Sequence, residues 1–273
     1  MINSPSVTII LPAYNGARWI KKALKSALSQ SFRDFELIVI NDGSTDTTEE
    51  VVLTLAKEDG RILYVKNEHN IGIQKTRNRA LDFAKGEFIA EIDQDDEWID
   101  TNKLEKQIDF LRQHGDHVLS GTGAVVVDDT GREISRYLMP LSDRDIRKKI
   151  LRANCFIHSS VVYRKKSVKD IGGYTPEKMS EDHDLWLRLG RIGKFMNFPD
   201  YSVRYLFSAG GYNSQNKTVR LKQNIENAFE HKNFYPNYWQ AVVLGWGKII
   251  FYPLFNLMPK KIQGMFLKLH KKI

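Results

Sequence analysis

At 273 residues the chain is longer than one ordinary domain, yet it fits a single large α/β domain with an appendage. A hydrophobic fraction of 42% with 27% charged residues describes a globular chain that can bury a real core. The lone cysteine, Cys155, excludes an intramolecular disulfide framework and a multi-cysteine metal site, and reads as a small buried apolar residue. The start, Met1 to Pro5, lacks a basic region followed by an apolar core, so no signal peptide is expected and the cytoplasm is the expected compartment.

The formal charge of +8 is unevenly placed. From Lys217 to Ile273 there are ten Lys/Arg and two Asp/Glu, while the other 216 residues balance at 31 of each sign. A neutral body with a basic tail implies that the tail meets an anionic surface and the body does something else.

In chain order, Val7–Leu11 is a short apolar run ended by Pro12, the pattern of a buried strand. Ala17–Gln30 places Ile20, Leu24, Ala27 and Leu28 at helical spacing. Leu37–Ile40 is a second strand, and Asn41-Asp42-Gly43-Ser44 a loop leading into a helix over Glu49–Ala56. A third strand follows at Ile62–Val65, a helix at Ile73–Ala84 and a fourth strand at Phe88–Ile92. Strands alternating with helices imply right-handed crossovers and a parallel sheet covered on both faces. The second half is less regular: a helix at Lys103–His114, strands at Val118–Val127 and Ser160–Tyr163 and a helix at Glu181–Arg191. No repeat or low-complexity linker interrupts the chain before about residue 217, so we expect a domain over 1–216 with halves meeting near residue 100. A helical extension over 217–273 follows it.

Ligands of an open parallel sheet bind beyond the carboxyl ends of its strands. Three such ends carry polar residues: Pro12-Ala13-Tyr14-Asn15, Asn41-Asp42-Gly43-Ser44 and Asp93-Gln94-Asp95-Asp96. Tyr14 offers a ring on which a base can stack, and Asp42 an acceptor for a base N–H or a ribose hydroxyl. Three carboxylates within four residues repel one another unless a cation neutralises them. Mg²⁺ or Mn²⁺ suits such hard oxygen ligands and keeps positions open for water and phosphate. The bland alternative is a solvated acidic turn before a helix.

These runs, with Asn70-Ile71-Gly72 and Arg77-Asn78 between them, occur in the order and approximate spacing found in family 2 glycosyltransferases, which the chain resembles over residues 5 to 210. The resemblance implies the GT-A fold: a mostly parallel, Rossmann-like α/β sheet flanked by helices. It implies that Pro12, Tyr14 and Asn15 line the base and ribose site and that Asp42 reads the base, usually uracil. Arg77 then lies near the diphosphate or the Asp cluster, and Asp93 and Asp95 on the substrate side, with Asp95 or Asp96 on a Mn²⁺ or Mg²⁺ ion.

Glu181-Asp182-His183-Asp184 opens a helix, where acids cap and compensate the dipole. The run is also similar to the family's Glu-Asp motif, which implies that Asp182 is the catalytic base with Glu181 beside it. One base and one metal site imply a single displacement that inverts the anomeric carbon. His158 is either an acceptor contact or a satisfied structural histidine, and Gly172-Gly173-Tyr174 resembles the glycine turn that brings a loop close to the sugar.

Two departures matter. No Gln-x-x-Arg-Trp run follows the base, which favours adding one sugar per encounter. Val203–Ser208 stands where many relatives carry Tyr-Arg-x-His, so the usual histidine on the metal side is missing.

Tyr238–Pro259 holds Lys248 as its only charge among six aromatic residues that include Trp239 and Trp246, and lysines follow. Gly245, Gly247, Lys248 and Pro253 argue against a membrane span, while aromatics flanked by lysines fit an element lying in the membrane interface over 238–272. A helical pair packed on the body is the alternative. The expected partners are a nucleotide-sugar donor and a glycan or lipid-linked acceptor, with no nucleic acid, since no recognition module is visible. Oligomeric state is left open. The expected activity is inverting hexosyl or N-acetylhexosaminyl transfer in surface-polysaccharide synthesis on the inner membrane face. The rivals are a nucleotidyltransferase, which would show a glycine-rich basic loop after the first strand, and a sugar-nucleotide-binding protein without transfer.

Overall fold

The computed structural model of the chain describes residues 4–176, 178–207 and 217–257. Its first half is the expected alternation: β1 (Val7–Ala13), α1 (Ile20–Leu28), β2 (Phe35–Asn41), α2 (Thr48–Glu58), β3 (Ile62–Lys66), α3 (Ile73–Phe83) and β4 (Phe88–Glu91). The two-residue β5 (Glu97–Trp98) then leads to α4 (Lys103–Gln113). The strands pair in the order β3-β2-β1-β4, all parallel, with Ile10 opposite both Ile38 and Glu91. Successive residues of β1 feed opposite faces. Ile10 joins the core under α3, while Ile9 and Leu11 join the core under α1, α2 and α4. Both faces are thus covered, and the strand ends are left to carry polar groups.

The second half extends the same sheet through β6 (His117–Val127), β7 (Glu133–Tyr137), α5 (Asp143–Lys149), β8 (Val162–Arg164), α6 (Lys165–Asp170), α7 (Glu181–Leu189) and β9 (Lys194–Leu206). From β4 the sheet continues to β8, β6, β9 and β5, with β7 hung on β6. β8 runs antiparallel to both neighbours, so the sheet turns mixed where its second half begins. The strand expected from Ser160 starts instead at Val162, after a 3₁₀ turn over His158–Ser160. Ser160 stabilises that turn by donating from Oγ to the Ile157 carbonyl at 2.7 Å.

Two helices close the described chain, α8 (Lys217–Glu230) and α9 (Tyr238–Leu257). They pack on the body: Gln223 accepts from the backbone N–H groups of Met179 and Ser180, and Tyr235 donates to the Leu187 carbonyl at 2.7 Å. No helix of the described residues is long and apolar enough to cross a membrane. Ser208 and the lysines from Lys260 onward lie outside the described residues.

Candidate active site

The three polar strand ends meet and brace one another. Asn15, in a left-handed conformation at φ +47°, accepts from Thr45 N at 2.9 Å and donates its own N–H to Ser44 Oγ. Gly16 N donates to Thr48 Oγ1 at 2.8 Å, and Ala17 N to Asp46 at 3.1 Å. The side chain of Gln94 holds the Tyr14 peptide from both sides, accepting from its N–H and donating to its carbonyl, each at 3.0 Å. Gly16 makes room for that amide, since a Cβ there would collide with Gln94. The Tyr14 ring stays 45% exposed beside this frame, available for stacking. Pro12 sits within β1 opposite Ile40.

Asp42 is 4% exposed and already engaged. Oδ1 accepts from Asn67 Nδ2 at 2.7 Å and Ile71 N at 2.9 Å, and Oδ2 accepts from Gly72 N at 3.1 Å. Its bonds pin the Asn70–Gly72 turn, and its acceptor capacity for a ligand is what remains on Oδ2.

The acidic loop after β4 splits into three roles. Asp93 accepts from Arg77 Nη2 at 2.6 Å. Burial alone would raise its carboxyl, but Arg77, His158 and the Ser159 hydroxyl hold it below the usual range. Asp96 is 2% exposed, with Ser159 Oγ and Leu206 N on its two oxygens, and burial with its two acidic neighbours pushes it well up. Asp95 is exposed and, among the described residues, has no side-chain partner. Desolvation by the surrounding protein and the Asp93 charge raise its carboxyl to about 6. An exposed, unpaired carboxylate disfavoured by its neighbour is the donor type that a hard divalent cation relieves, so Asp95 fits a Mn²⁺ or Mg²⁺ ion.

Arg77 joins this loop to α7. It is 3% exposed and donates to Asp93 and, at 2.9 Å, to Glu181. These partners stand on other elements, so it is not merely paired within its own helix. Its Nη2 also lies 3.3 Å from His158 Nδ1. A guanidinium only donates, so Nδ1 accepts and Nε2–H donates to Tyr174 Oη at 3.0 Å. Burial and the Arg77 charge lower His158 to about 4, consistent with that neutral tautomer. Tyr174 and Tyr163 both donate to Glu91 Oε1, and burial pushes this fully enclosed carboxyl up to about 7. His158 is therefore a satisfied histidine that also lines the cavity described next.

Asp182 and Glu181 line a cavity of about 440 Å³ that also reaches Asp93 and His158. Ala124, Val126, Ile134, Tyr137, Phe156 and Phe207 make much of its wall. Burial and the Asp182 charge raise Glu181 to about 7. Asp182 accepts from Asn154 Nδ2 at 2.6 Å on one oxygen and from His183 N at 2.7 Å on the other. Gly172 and Gly173 both have positive φ, but the turn closes on α3: a Cβ at Gly173 would lie 2.5 Å from Asn78 Oδ1, which accepts from Tyr174 N. The freedom there is spent on packing against Asn78.

Residues 8–172 match the sequence profile described as glycosyl transferase family 2. The chain belongs to that family. It is 28% identical over 222 residues to the amylovoran biosynthesis glycosyltransferase AmsE of Erwinia amylovora, covering 80% of this chain and 83% of that protein. It is 32% identical over 183 residues to UDP-Glc:alpha-D-GlcNAc-diphosphoundecaprenol beta-1,3-glucosyltransferase WfgD of Escherichia coli, covering 67% and 69%. Among solved structures it resembles S. aureus TarS 1–349 in complex with UDP-GlcNAc, with TM-score 0.71 and 20% identity over 90% of this chain and 73% of that one. It spans 40% of a longer TarS chain. It also resembles the mannosyltransferase PcManGT from Pyrobaculum calidifontis in complex with GDP-Man and Mn²⁺, with TM-score 0.67 and 17% identity over 91% and 70%. The family 2 glycosyltransferase here therefore has the GT-A fold, and it has relatives in polysaccharide synthesis.

Four residues of this transferase join the site without having been singled out individually in the sequence: Gln94, Asn154, Ser159 and Leu206. Asn154 and Ser159 belong to the segment Asn154–Arg164, which separates the two acidic sites in sequence and is a candidate acceptor contact. Gln94 stands as an uncharged spacer in the run Asp93–Asp96, where the carboxylate pattern assigns it no role. Asn154, Ser159 and Leu206 reach the site from loops or a backbone N–H, which leave no periodic signal.

Proposed function

We propose that this transferase moves a sugar from a nucleoside-diphosphate donor to a hydroxyl of a lipid-linked acceptor in surface-polysaccharide synthesis at the inner membrane face, inverting the anomeric carbon. The observation that carries the reading is the 440 Å³ cavity in which Asp182, braced by Asn154, shares a wall with Asp93 of the acidic loop. Tyr14 takes the base, with Pro12 and Asn15 shaping its loop, and Asp42 acts chiefly by fixing the Asn70–Gly72 turn beside it. Asp182 accepts the acceptor hydroxyl's proton as the oxygen attacks the anomeric carbon, and the nucleotide diphosphate departs with the bonding pair. Glu181 holds Arg77, which in turn fixes Asp93. Asp95 is the open ligand for Mn²⁺ or Mg²⁺, with Asp96 behind it; when bound, such an ion stabilises the charge of the leaving diphosphate. Holding both substrates in line supplies much of the remaining acceleration.

A uridine donor is favoured by the family resemblance and by relatives described with UDP-sugars, and the aromatic and apolar cavity wall suits the face of an acceptor sugar. The test is a screen of UDP- and GDP-sugars for transfer to diphospholipid-linked sugars with Mn²⁺ and with EDTA. Transfer that survives EDTA unchanged removes the metal, and transfer from no donor removes the reading.

A further inference from the structure

Helix α9 carries two neighbouring apolar stripes, about 110° apart at 3.6 residues per turn, and the body of the protein uses only one. Ala241 and Val242 are buried, Tyr238 packs on the core, and a Cβ at Gly245 would press on Ile225 of α8 at 2.6 Å. These positions repeat at the three- and four-residue spacing of one helical stripe. Trp239, Val243, Trp246 and Ile250 repeat at the same spacing on the neighbouring, outward face and are 73, 66, 50 and 62% exposed. A helix with one packed stripe ordinarily turns polar residues to water. A second apolar stripe carrying two tryptophans implies a second partner.

The charges around it indicate which partner. Asn237, at φ +66° just before α9, donates to the Lys148 carbonyl at 3.0 Å, so α9 starts against the end of α5. There Lys148, Lys149 and Arg152 line a surface cleft in which Asp145 is the only acid. In the connection before α9, Lys232 is exposed, and Arg191 stacks 4.0 Å over the half-exposed Phe234 ring. The nearby Glu230 is already paired with Lys178. Lys148 pairs with Asp145 at 3.7 Å, which leaves Lys149 and Arg152 as the cleft's net positive charge. Tryptophan rings beside such a net positive surface match an interface whose apolar interior begins beneath phosphate headgroups. The net positive charge beside the stripe favours an anionic lipid surface as the occupant, and a second copy of this chain on the stripe is the outcome that the dimer measurement below reads.

We infer that the outer stripe of α9 and the basic end of α5 form one docking surface for a bilayer containing anionic phospholipid, with α9 lying flat in the interface. The inference deepens, and rests on, the reading that the transferase works at a membrane. It resolves the two sequence readings of this segment, because the inner stripe packs on the body while the outer one meets lipid. α8 ties the surface to the site: Arg220 lines the acceptor cavity, and Gln223 holds the backbone just before α7. Docking would therefore set the cavity beside the lipid surface on which a lipid-linked acceptor is carried.

The test is co-sedimentation of the full chain with vesicles of phosphatidylcholine alone and of phosphatidylcholine mixed with phosphatidylglycerol. We expect binding at least tenfold stronger to the mixed vesicles and weakened by salt. Lys148→Glu with Lys149→Glu should cut it about tenfold or more, and Trp239→Ser with Trp246→Ser should cut binding while leaving its salt dependence. Circular dichroism checks that each variant is folded, and transfer to a short water-soluble acceptor should stay at the wild-type rate in both. Equal binding to neutral vesicles, or no binding, overturns the inference. So does a concentration-dependent dimer that disappears in the tryptophan variant. Charge-dependent vesicle binding by a protein that transfers no sugar to any acceptor would keep this surface and remove the transferase reading.

Discussion

The two halves of the site are built differently. On the β1–β4 side, polar groups hold polar groups: Gln94 holds the Tyr14 peptide, Asn15 and Ser44 bridge two loops, and Asp42 pins a turn. On the β6–β9 side the cavity wall is largely apolar, and its polar residues Asn154, His158 and Asp182 come from separate loops and a helix start. A charged nucleotide is best met by dipoles fixed in advance, whereas a sugar on a lipid can be selected by shape and ring contact. Arg77 is the only described side chain that hydrogen-bonds to both Asp93 on one side and Glu181 on the other.

The comparison can be broken most sharply at the base. Asp182→Asn should lower transfer by about 10³-fold while leaving nucleotide-sugar affinity near wild type, as read by turnover and by calorimetric titration of the donor. Equal loss of both would mean that the two halves are not separable. Severing the link comes next. Arg77→Met leaves the buried Glu91 and the half-buried Asp93 without their cation and should cost about 3–5 kcal/mol in urea unfolding. Asn154→Ala removes a hydrogen bond to a charged group and should lower kcat about tenfold with donor affinity unchanged.

The smallest effect tests the scaffold rather than the site. Lys103 is 1% exposed, lies 4.1 Å over the Trp98 ring, and is lowered by burial to about 7 from an ordinary 10.5. Between those values the unfolded chain binds more protons than the native one, so this lysine makes stability rise with pH. Its penalty is complete below pH 7 and gone above 10.5. Lys103→Met should therefore raise stability at pH 7 by about 1–3 kcal/mol, with the gain fading toward pH 10.5 in thermal unfolding.

The β1–β4 side was legible in the sequence because each of its strands is a short apolar run ending in polar residues, and those ends converge by topology alone. The second half was harder for physical reasons. β9 carries Pro199 and Asp200 and pairs with β6 through shifted registers, so it shows no alternation, although its Leu206 N–H is what secures Asp96. The strand expected from Ser160 begins only at Val162, because the Ser160 hydroxyl bonds the Ile157 carbonyl and holds a turn, and that turn brings His158 and Ser159 to the acids. The histidine absent from Val203–Ser208 leaves a backbone N–H as the described contact of that strand with the acidic loop.

The Gln94 amide has a consequence for how this chain can vary. Pairing with both the N–H and the carbonyl of one residue suits a side chain that presents an acceptor and a donor side by side, as a carboxamide does, and asparagine is one methylene shorter. Because the amide fills the space beside Gly16, positions 16 and 94 form a linked pair. A side chain larger than hydrogen at 16 should appear only in chains that carry a shorter residue at 94. The apparent spacer in Asp-Gln-Asp-Asp is thus under as much constraint as the acids around it.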